Sequence, residues 1–171
     1  MQDASTLFEA AIAWLRDNYG NYRFYVERDV VWTLQTRLVS LIQHQSLALR
    51  IFHHFPMGDR RGINCDLALV NPDDSVALAA EFKYEPSHRR SDIWHTKFPV
   101  VFWNEGVGHD IERVHSFVAM GAAAYAVFID EGGYFRHRPP HPGSTWVDWS
   151  ASKPGAFSPA VLWAGAKAVI P

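Results

Sequence analysis

Hydrophobic positions recur with helical spacing in three parts of the chain. Between Thr6 and Tyr19 they fall every three or four residues, which predicts an amphipathic helix, and the spacing from Thr6 to Glu9 is typical of a capping box at its start. A second stripe, with a period of about 3.6 residues, covers Glu27–His44. A third covers Gly108–Gly121, where the final glycine is expected to close the helix.

Strands are predicted where apolar and polar residues alternate, or where short apolar runs lie between turn signals. Three of them follow each other directly, at Leu47–Phe55, Asn64–Val70 and Ser75–Tyr84, and the turn at Asn71–Asp74 joins the last two into a hairpin. The apolar run Ala124–Asp130 predicts a fourth strand after the third helix. The order helix, helix, three strands, helix, strand places the chain in the α/β class.

The part of the chain after Arg138 has weaker signals. Prolines are frequent there, and the helical or strand patterns around Trp146 and Trp163 are weak. Because aromatic-rich apolar surfaces often mark contacts, we consider this region either an added lobe that covers the core or a dimer interface. The total length of 171 residues fits a single domain.

Composition excludes several classes of protein. With 16 Lys and Arg against 18 Asp and Glu, the formal net charge is −2, so no global positive field attracts nucleic acid and any such binding must be local. The single cysteine, Cys65, rules out an intramolecular disulfide. The longest nearly apolar run, Phe117–Ile129, has 13 residues, fewer than the roughly 20 that span a bilayer. Since Asp3 and Glu9 fall where a secretory signal would be basic or apolar, we expect a cytoplasmic protein without membrane association.

The most informative segment is Asp66, followed 15 residues later by Glu81-Phe82-Lys83. Residues two apart on a strand share a face, so Glu81 and Lys83 project from the same side. The hairpin brings Asp66 alongside Glu81, and two neighbouring carboxylates repel each other unless a cation lies between them. A hard divalent ion such as Mg²⁺ binds one or two carboxylates together with a phosphate. Lys83 would then position the attacking water and neutralise charge that develops on the phosphate.

These residues resemble the motif of the PD-(D/E)XK superfamily, the restriction-endonuclease-like nucleases. The resemblance covers residues 25–131 and leaves an N-terminal helix and a Pro/Trp-rich C-terminal extension outside it. It implies a central mixed β-sheet flanked by helices, Mg²⁺ or Mn²⁺ as cofactor, and hydrolysis of phosphodiester bonds in DNA or, less often, RNA. Asp66 and Glu81 match the metal-binding acids, and Lys83 matches the catalytic lysine. Glu27 corresponds to an additional acid on the first core helix.

One position departs from the superfamily's pattern, because Cys65 stands where a proline precedes the aspartate.

Each proposed site residue also has a structural interpretation. Glu27 is an acid in the first turn of a helix, which the helix dipole stabilises. Asp66 is a strand-end residue able to form an Asx turn, and Glu81 with Lys83 is able to form a surface ion pair of little energetic value.

Charged residues near the motif are candidates for phosphate contacts. Two pairs of arginines flank the motif in sequence, and the alternative is that they lie in solvated loops. Most of the polar residues that open the third helix are expected on its solvated face, and Arg113 or His109 is expected to approach a substrate if that helix covers the site. The flanking arginines are Arg60, Arg61, Arg89 and Arg90, and the polar residues of the helix are His109, Asp110, Glu112 and Arg113.

The leading hypothesis is a metal-dependent nuclease, with DNA as the expected partner and with a homodimer as one way to cut both strands. The alternative is a catalytically inactive nuclease-fold module that binds nucleic acid or a protein within a defence or repair system. The near-neutral charge and the small size motivate this alternative. In a third interpretation the motif arises by chance in an unrelated α/β fold, and Asp66 and Glu81 then lie far apart.

Overall fold

A six-stranded mixed sheet lies between helices in the computed structural model, which confirms the predicted α/β class. The structure describes residues 3–58, 63–93, 102–103, 105–149 and 159–166. In chain order the helices and strands are α1 (Ala4–Asn18), α2 (Glu27–His44), β1 (Arg50–Pro56), β2 (Asn64–Val70), β3 (Val76–Glu85), α3 (Val107–Ala119), β4 (Ala123–Asp130), β5 (Ser144–Asp148) and β6 (Ala160–Ala166). A short 3₁₀ turn at Tyr19–Asn21 follows α1.

The strand order in the sheet is β1-β2-β3-β4-β6-β5. Strands β3 and β4 are parallel, and the other neighbouring pairs are antiparallel. A parallel pair needs a crossover connection, which here contains α3. The carboxyl-terminal ends of β3 and β4 therefore lie side by side, with Glu85 opposite Asp130.

Apolar side chains fill both faces of the sheet. Helices α1 and α2 pack on one face, where Phe8, Leu34 and Phe82 are buried in one cluster. Helix α3 packs on the other face, where Phe117 and Phe128 belong to a second cluster. The central strands are buried on both sides, which explains why they read as apolar runs more than as alternating patterns. Among the described residues, we find no helix with the length and apolar character needed to cross a bilayer.

The predicted bounds of α2 are confirmed, but α1 begins before Thr6. Its cap is Asp3, whose Oδ1 accepts a hydrogen bond from the Thr6 backbone N–H at 2.7 Å. The capping box expected between Thr6 and Glu9 is therefore wrong. Glu9 instead accepts a hydrogen bond from the Tyr125 hydroxyl at 2.7 Å, because α1 lies against the sheet and brings this carboxylate to β4.

The segments around Trp146 and Trp163 form β5 and β6, and both strands belong to the sheet. Strand β6 pairs along its whole length with β4, from Ala124–Ala166 to Asp130–Ala160. The expectation of an added lobe is therefore wrong for the described part of this region, which extends the central layer instead.

Candidate active site

The predicted acids Asp66 and Glu81 come together where strands β2 and β3 part. The pairing of these strands runs from Val70–Val76 at the hairpin turn to Leu67–Ala80. Just beyond this last pair, the Phe82 backbone N–H donates a hydrogen bond to Asp66 Oδ2 at 2.7 Å. Because this donor lies on the neighbouring strand, the Asx-turn interpretation of Asp66 is wrong.

Glu81 is a buried acid that lies beside both a negatively charged group, Asp66, and a positively charged group, Arg113. Its residue is 2% exposed, and burial together with repulsion from Asp66 raises its pKa to about 9 against the attraction of Arg113. Arg113 Nη2 lies 2.9 Å from Glu81 Oε1. This oxygen nevertheless has no hydrogen bond of favourable geometry within the described residues. Glu81 therefore has an oxygen with unused capacity to bind a donor or a cation.

Lys83 occupies the centre of the charged cluster. Its Nζ lies 3.0 Å from Asp110 Oδ2 and 3.6 Å from Glu27 Oε2, and it donates a hydrogen bond to the Phe82 carbonyl oxygen at 3.1 Å. Burial by itself lowers the pKa of Lys83, but the carboxylates of Asp110 and Glu27 outweigh burial, so the pKa is above its ordinary value of 10.5. Lys83 is therefore a charged ammonium group at neutral pH, and its side chain is only 29% exposed.

Two helices direct acids toward this lysine from their first turns. Glu27 is the first residue of α2, and Asp110 lies in the first turn of α3, positions at which the helix dipole favours a carboxylate. Burial raises the pKa of Glu27 to about 7, with Lys83 opposing the shift and Asp66 contributing to it. Burial also raises the pKa of Asp110. Glu27 thus both opens its helix and faces Lys83.

Asp110 and Arg113 of α3 also belong to this cluster, although most polar residues at the start of this helix were expected on its solvated face and Arg113 was expected near the site only if the helix covers it. Asp110 is 6% exposed, and its Oδ2 is a buried oxygen without a well-formed hydrogen bond in the described residues. Arg113 donates a hydrogen bond to the Asn64 carbonyl oxygen, and its guanidinium carbon lies 5.5 Å from the centre of the Phe117 ring. Their spacing of three residues places both on one face of the helix, which is the signal that the sequence offered.

The donor set of this cluster fits a hard divalent cation. Four carboxylates face two cationic side chains, which leaves two formal negative charges in a largely buried site. The carboxylate oxygens are ligands that Mg²⁺ prefers, and this ion typically uses one or two of them with water and phosphate. Within the described ranges, no three His, Cys, Asp or Glu side chains are already arranged to hold a metal ion. Asp66 and Glu81 are the two acids of the cluster that lie on neighbouring strands.

The arginines that flank the motif have different environments. Arg60 and Arg61 lie outside the described residues. Arg89 is exposed and lines a cavity beyond the end of β3. Arg90 has a side chain that is only 4% exposed and is held by Asp92, so it braces the loop from within.

Comparisons with known proteins give no relative for this chain. No protein-family model, curated protein or solved structure matches it.

Proposed function

We propose that the chain is a metal-dependent nuclease that hydrolyses phosphodiester bonds, with DNA as the expected substrate and a site of the PD-(D/E)XK type. The observation that carries the proposal is the position of Lys83. It is held 3.0 Å from Asp110, on the strand that also carries Glu81 and beside the hairpin strand of Asp66. An acid pair with a charged lysine is a set of groups suited to phosphodiester hydrolysis.

The topology supports the same proposal. The hairpin of β2 and β3 is followed by a crossover through α3 to the parallel strand β4. The resemblance to restriction-endonuclease-like proteins implies a central mixed sheet flanked by helices, and this topology is compatible with it. The first core helix, α2, begins at Glu27, which faces Lys83.

In the proposed site, Asp66 and Glu81 hold the divalent ion, and Glu27 completes or tunes its surroundings. The ion, when bound, polarises a phosphoryl oxygen and lowers the pKa of a bound water. Glu81 favours a bound cation, because its buried carboxyl group, whose pKa is raised to about 9, is costly to ionise when no cation is present. These carboxylates must lose their protons to act as ligands.

Lys83 acts on the water and on the phosphate. Its ammonium group donates hydrogen bonds to the attacking water and to a phosphoryl oxygen, where it offsets developing negative charge. The water oxygen bonds to phosphorus while the bond from phosphorus to the leaving sugar oxygen breaks. The products are a phosphate monoester and a hydroxyl group. Asp110 orients the ammonium group through the contact of 3.0 Å.

The experiment compares the wild type with Lys83→Met and Asp66→Asn on plasmid, linear and single-stranded DNA, with Mg²⁺, Mn²⁺ or EDTA. We expect cleavage by the wild type with either metal, no cleavage in EDTA, and a loss of about a hundredfold or more in both variants. Asp17→Asn is the matched control, since Asp17 is exposed on α1 and pairs only with its neighbour Arg16 among the described residues. Wild-type cleavage no faster than that of Lys83→Met and Asp66→Asn contradicts the proposal.

A second candidate is a catalytically inactive binding module of the same fold. The contact between Arg113 and Glu81 favours it, because a positively charged guanidinium already lies 2.9 Å from an oxygen of one of the two proposed metal ligands. Titration with Mn²⁺ separates the candidates. An active site binds Mn²⁺ and loses that binding in Asp66→Asn, whereas an inactive module shows no binding that depends on Asp66.

A further inference from the structure

A second polar feature lies at the carboxyl-terminal ends of β3 and β4. A cavity of about 860 Å³ opens there between the loop after β3, the loop after β4 and the turn that follows α1. In α/β sheets this edge of neighbouring parallel strands is a common place for ligands. We call the cavity the arginine pocket after the four arginines that line it, Arg23, Arg89, Arg90 and Arg136.

The floor of the arginine pocket is fixed by buried ionic contacts. Arg90 donates two hydrogen bonds to Asp92, from Nε at 3.0 Å and from Nη2 at 2.8 Å. Its Nη1 also donates to the Phe24 carbonyl oxygen at 2.5 Å and lies 3.5 Å from Glu131 Oε2. Glu131 Oε2 in turn accepts a hydrogen bond from the Ser87 backbone N–H at 2.8 Å. These contacts join three segments of the chain, so the pocket is preorganised.

The remaining arginines give the pocket a positive charge. Arg89 and Arg136 are exposed, and no carboxylate among the described residues forms an ion pair with either. Arg23 is exposed, and its one ion pair within the described residues is with Asp92, at 3.5 Å. Four lining arginines against two lining carboxylates leave two formal positive charges. A phosphate monoester carries a charge of about −1.5 to −2 at neutral pH, which is opposite in sign and similar in size to the formal charge of the pocket.

The size of the pocket and one aromatic ring in its lining are suited to a nucleotide, which carries a base as well as a phosphate. A volume of about 860 Å³ exceeds what a phosphate alone needs and is typical of pockets for small molecules. Tyr22 lines the pocket and is 39% exposed, and its ring is stacked on Phe24 with centroids 5.8 Å apart. A rigid exposed ring beside arginines is suited to stacking a nucleobase.

Two short segments of the chain connect the arginine pocket with the candidate active site. Arg23 precedes Glu27 by four residues, and Ser87 follows Lys83 by four residues. Four residues of extended chain span at most about 14 Å. A strand held in the pocket is therefore within a few nucleotides of Lys83, because successive phosphates of one DNA strand rise about 3.4 Å along the helix axis.

We propose that the arginine pocket binds a nucleotide bearing a phosphate monoester, with the phosphate on Arg89 and Arg136 and the base against Tyr22. In the reaction proposed above, this nucleotide is the phosphorylated end of the strand that is cut. The assignment to a strand end rests on the proposed nuclease function, whereas binding of the phosphate monoester does not.

The test measures binding of labelled single-stranded oligonucleotides by fluorescence anisotropy, in EDTA and with the Lys83→Met variant of the whole 171-residue chain, so that no cleavage is required. The oligonucleotides carry a 5′-phosphate, a 3′-phosphate or hydroxyl groups at both ends. We expect one phosphorylated end to bind about tenfold or more tightly than the hydroxyl ends. Adenosine monophosphate should compete more strongly than inorganic phosphate, because it also supplies a base for Tyr22.

Variants assign the binding to the pocket. Replacing Arg89 and Arg136 together by alanine should remove the preference for the phosphorylated end, and Tyr22→Ala should remove the advantage of the nucleotide over inorganic phosphate. Arg50→Ala is the matched control, because Arg50 is exposed and pairs with Asp74 at the turn of the hairpin. Equal binding of phosphorylated and hydroxyl ends, with no competition by the nucleotide, overturns the proposal. Binding of the free nucleotide with no preference between oligonucleotide ends overturns the strand-end assignment, and neither result depends on whether the chain cuts DNA.

Discussion

The Arg113 guanidinium of α3 lies against the Glu81 carboxyl group of β3 across two layers of the fold, with Nη2 2.9 Å from Oε1. The pair exists because α3 is the crossover between the parallel strands β3 and β4 and must lie over them. It places a fixed positive charge where a divalent cation is proposed to bind. Arg113 therefore sets the charge against which a metal ion competes for Glu81.

Arg113→Gln should strengthen the binding of divalent cations. Removing a positive charge beside Glu81 makes the site more negative, so we expect the dissociation constant for Mn²⁺ to fall by about tenfold. Isothermal titration calorimetry at low salt measures the change. Arg113→Lys keeps the charge and should bind Mn²⁺ about as the wild type does. If Arg113→Gln binds Mn²⁺ more weakly than Arg113→Lys does, the charge of Arg113 does not oppose cation binding beside Glu81.

Asp110→Asn should shift the pH dependence of cleavage as well as slow it. The Asp110 carboxylate is the nearest group that raises the pKa of Lys83, against the lowering effect of burial. Its loss therefore lowers the pKa of the ammonium group, and the alkaline limb of the rate profile should move to lower pH by up to about one unit. Profiles of kcat/KM against pH for both proteins give the comparison. A slower variant with an unmoved alkaline limb indicates a purely structural role for Asp110.

Local patterns in the sequence predicted the elements that carry the proposed catalytic residues. The bounds of α2 and the hairpin of β2 and β3 follow from periodicity and from one strong turn signal, and both determine where Asp66, Glu81 and Lys83 lie. A hairpin with a short turn fixes its own register. Asp66 and Glu81 are therefore brought together by the hairpin itself, and contacts with distant parts of the chain are not needed for this.

The positions of Asp110 and Arg113 in the site depend on how α3 packs on the sheet, which local sequence patterns do not determine. Charged residues in a first helical turn ordinarily face solvent, and only the rotation of α3 over the sheet buries Asp110 beside Lys83. Strand β6 is also hard to predict, because four of its seven residues are alanine or glycine and it pairs with β4, which is distant in sequence. Both features arise from tertiary contacts.

Glu81 should make the metal-free protein less stable as the pH rises. Its pKa is about 9 in the folded protein and about 4.5 for an ordinary glutamate, so between these values the folded protein holds a proton that the unfolded chain has lost. Raising the pH through this window therefore favours unfolding, by at most about 1.4 kcal/mol per pH unit for one proton.

Glu81→Gln provides the comparison, because glutamine does not titrate. Urea denaturation in EDTA from pH 5 to pH 9 should show the free energy of unfolding of the variant rising relative to that of the wild type. Saturating Mg²⁺ should remove most of the difference in slope if the cation binds the ionised carboxylate. Parallel pH profiles for the two metal-free proteins would show that Glu81 ionises normally.

Gly165→Ala tests the placement of β6 beside β4. Gly165 pairs with Tyr125, and a Cβ atom at position 165 would lie 2.8 Å from two carbons of the tyrosine ring. The ring cannot move away freely, because it is 2% exposed and its hydroxyl donates a hydrogen bond to Glu9 at 2.7 Å. We therefore expect the free energy of unfolding to fall by about 1 to 3 kcal/mol, despite the usual preference for alanine over glycine in a strand.

A double-mutant cycle separates this clash from a general intolerance of substitution at Gly165. When Tyr125→Leu removes the ring, the added methyl group of Gly165→Ala has room, so the glycine substitution should cost little or even stabilise the chain. Thermal and urea denaturation of the four proteins give the coupling energy. Equal costs of Gly165→Ala with and without the ring would mean that the two residues do not face each other, and the pairing of β6 with β4 would then have to be revised.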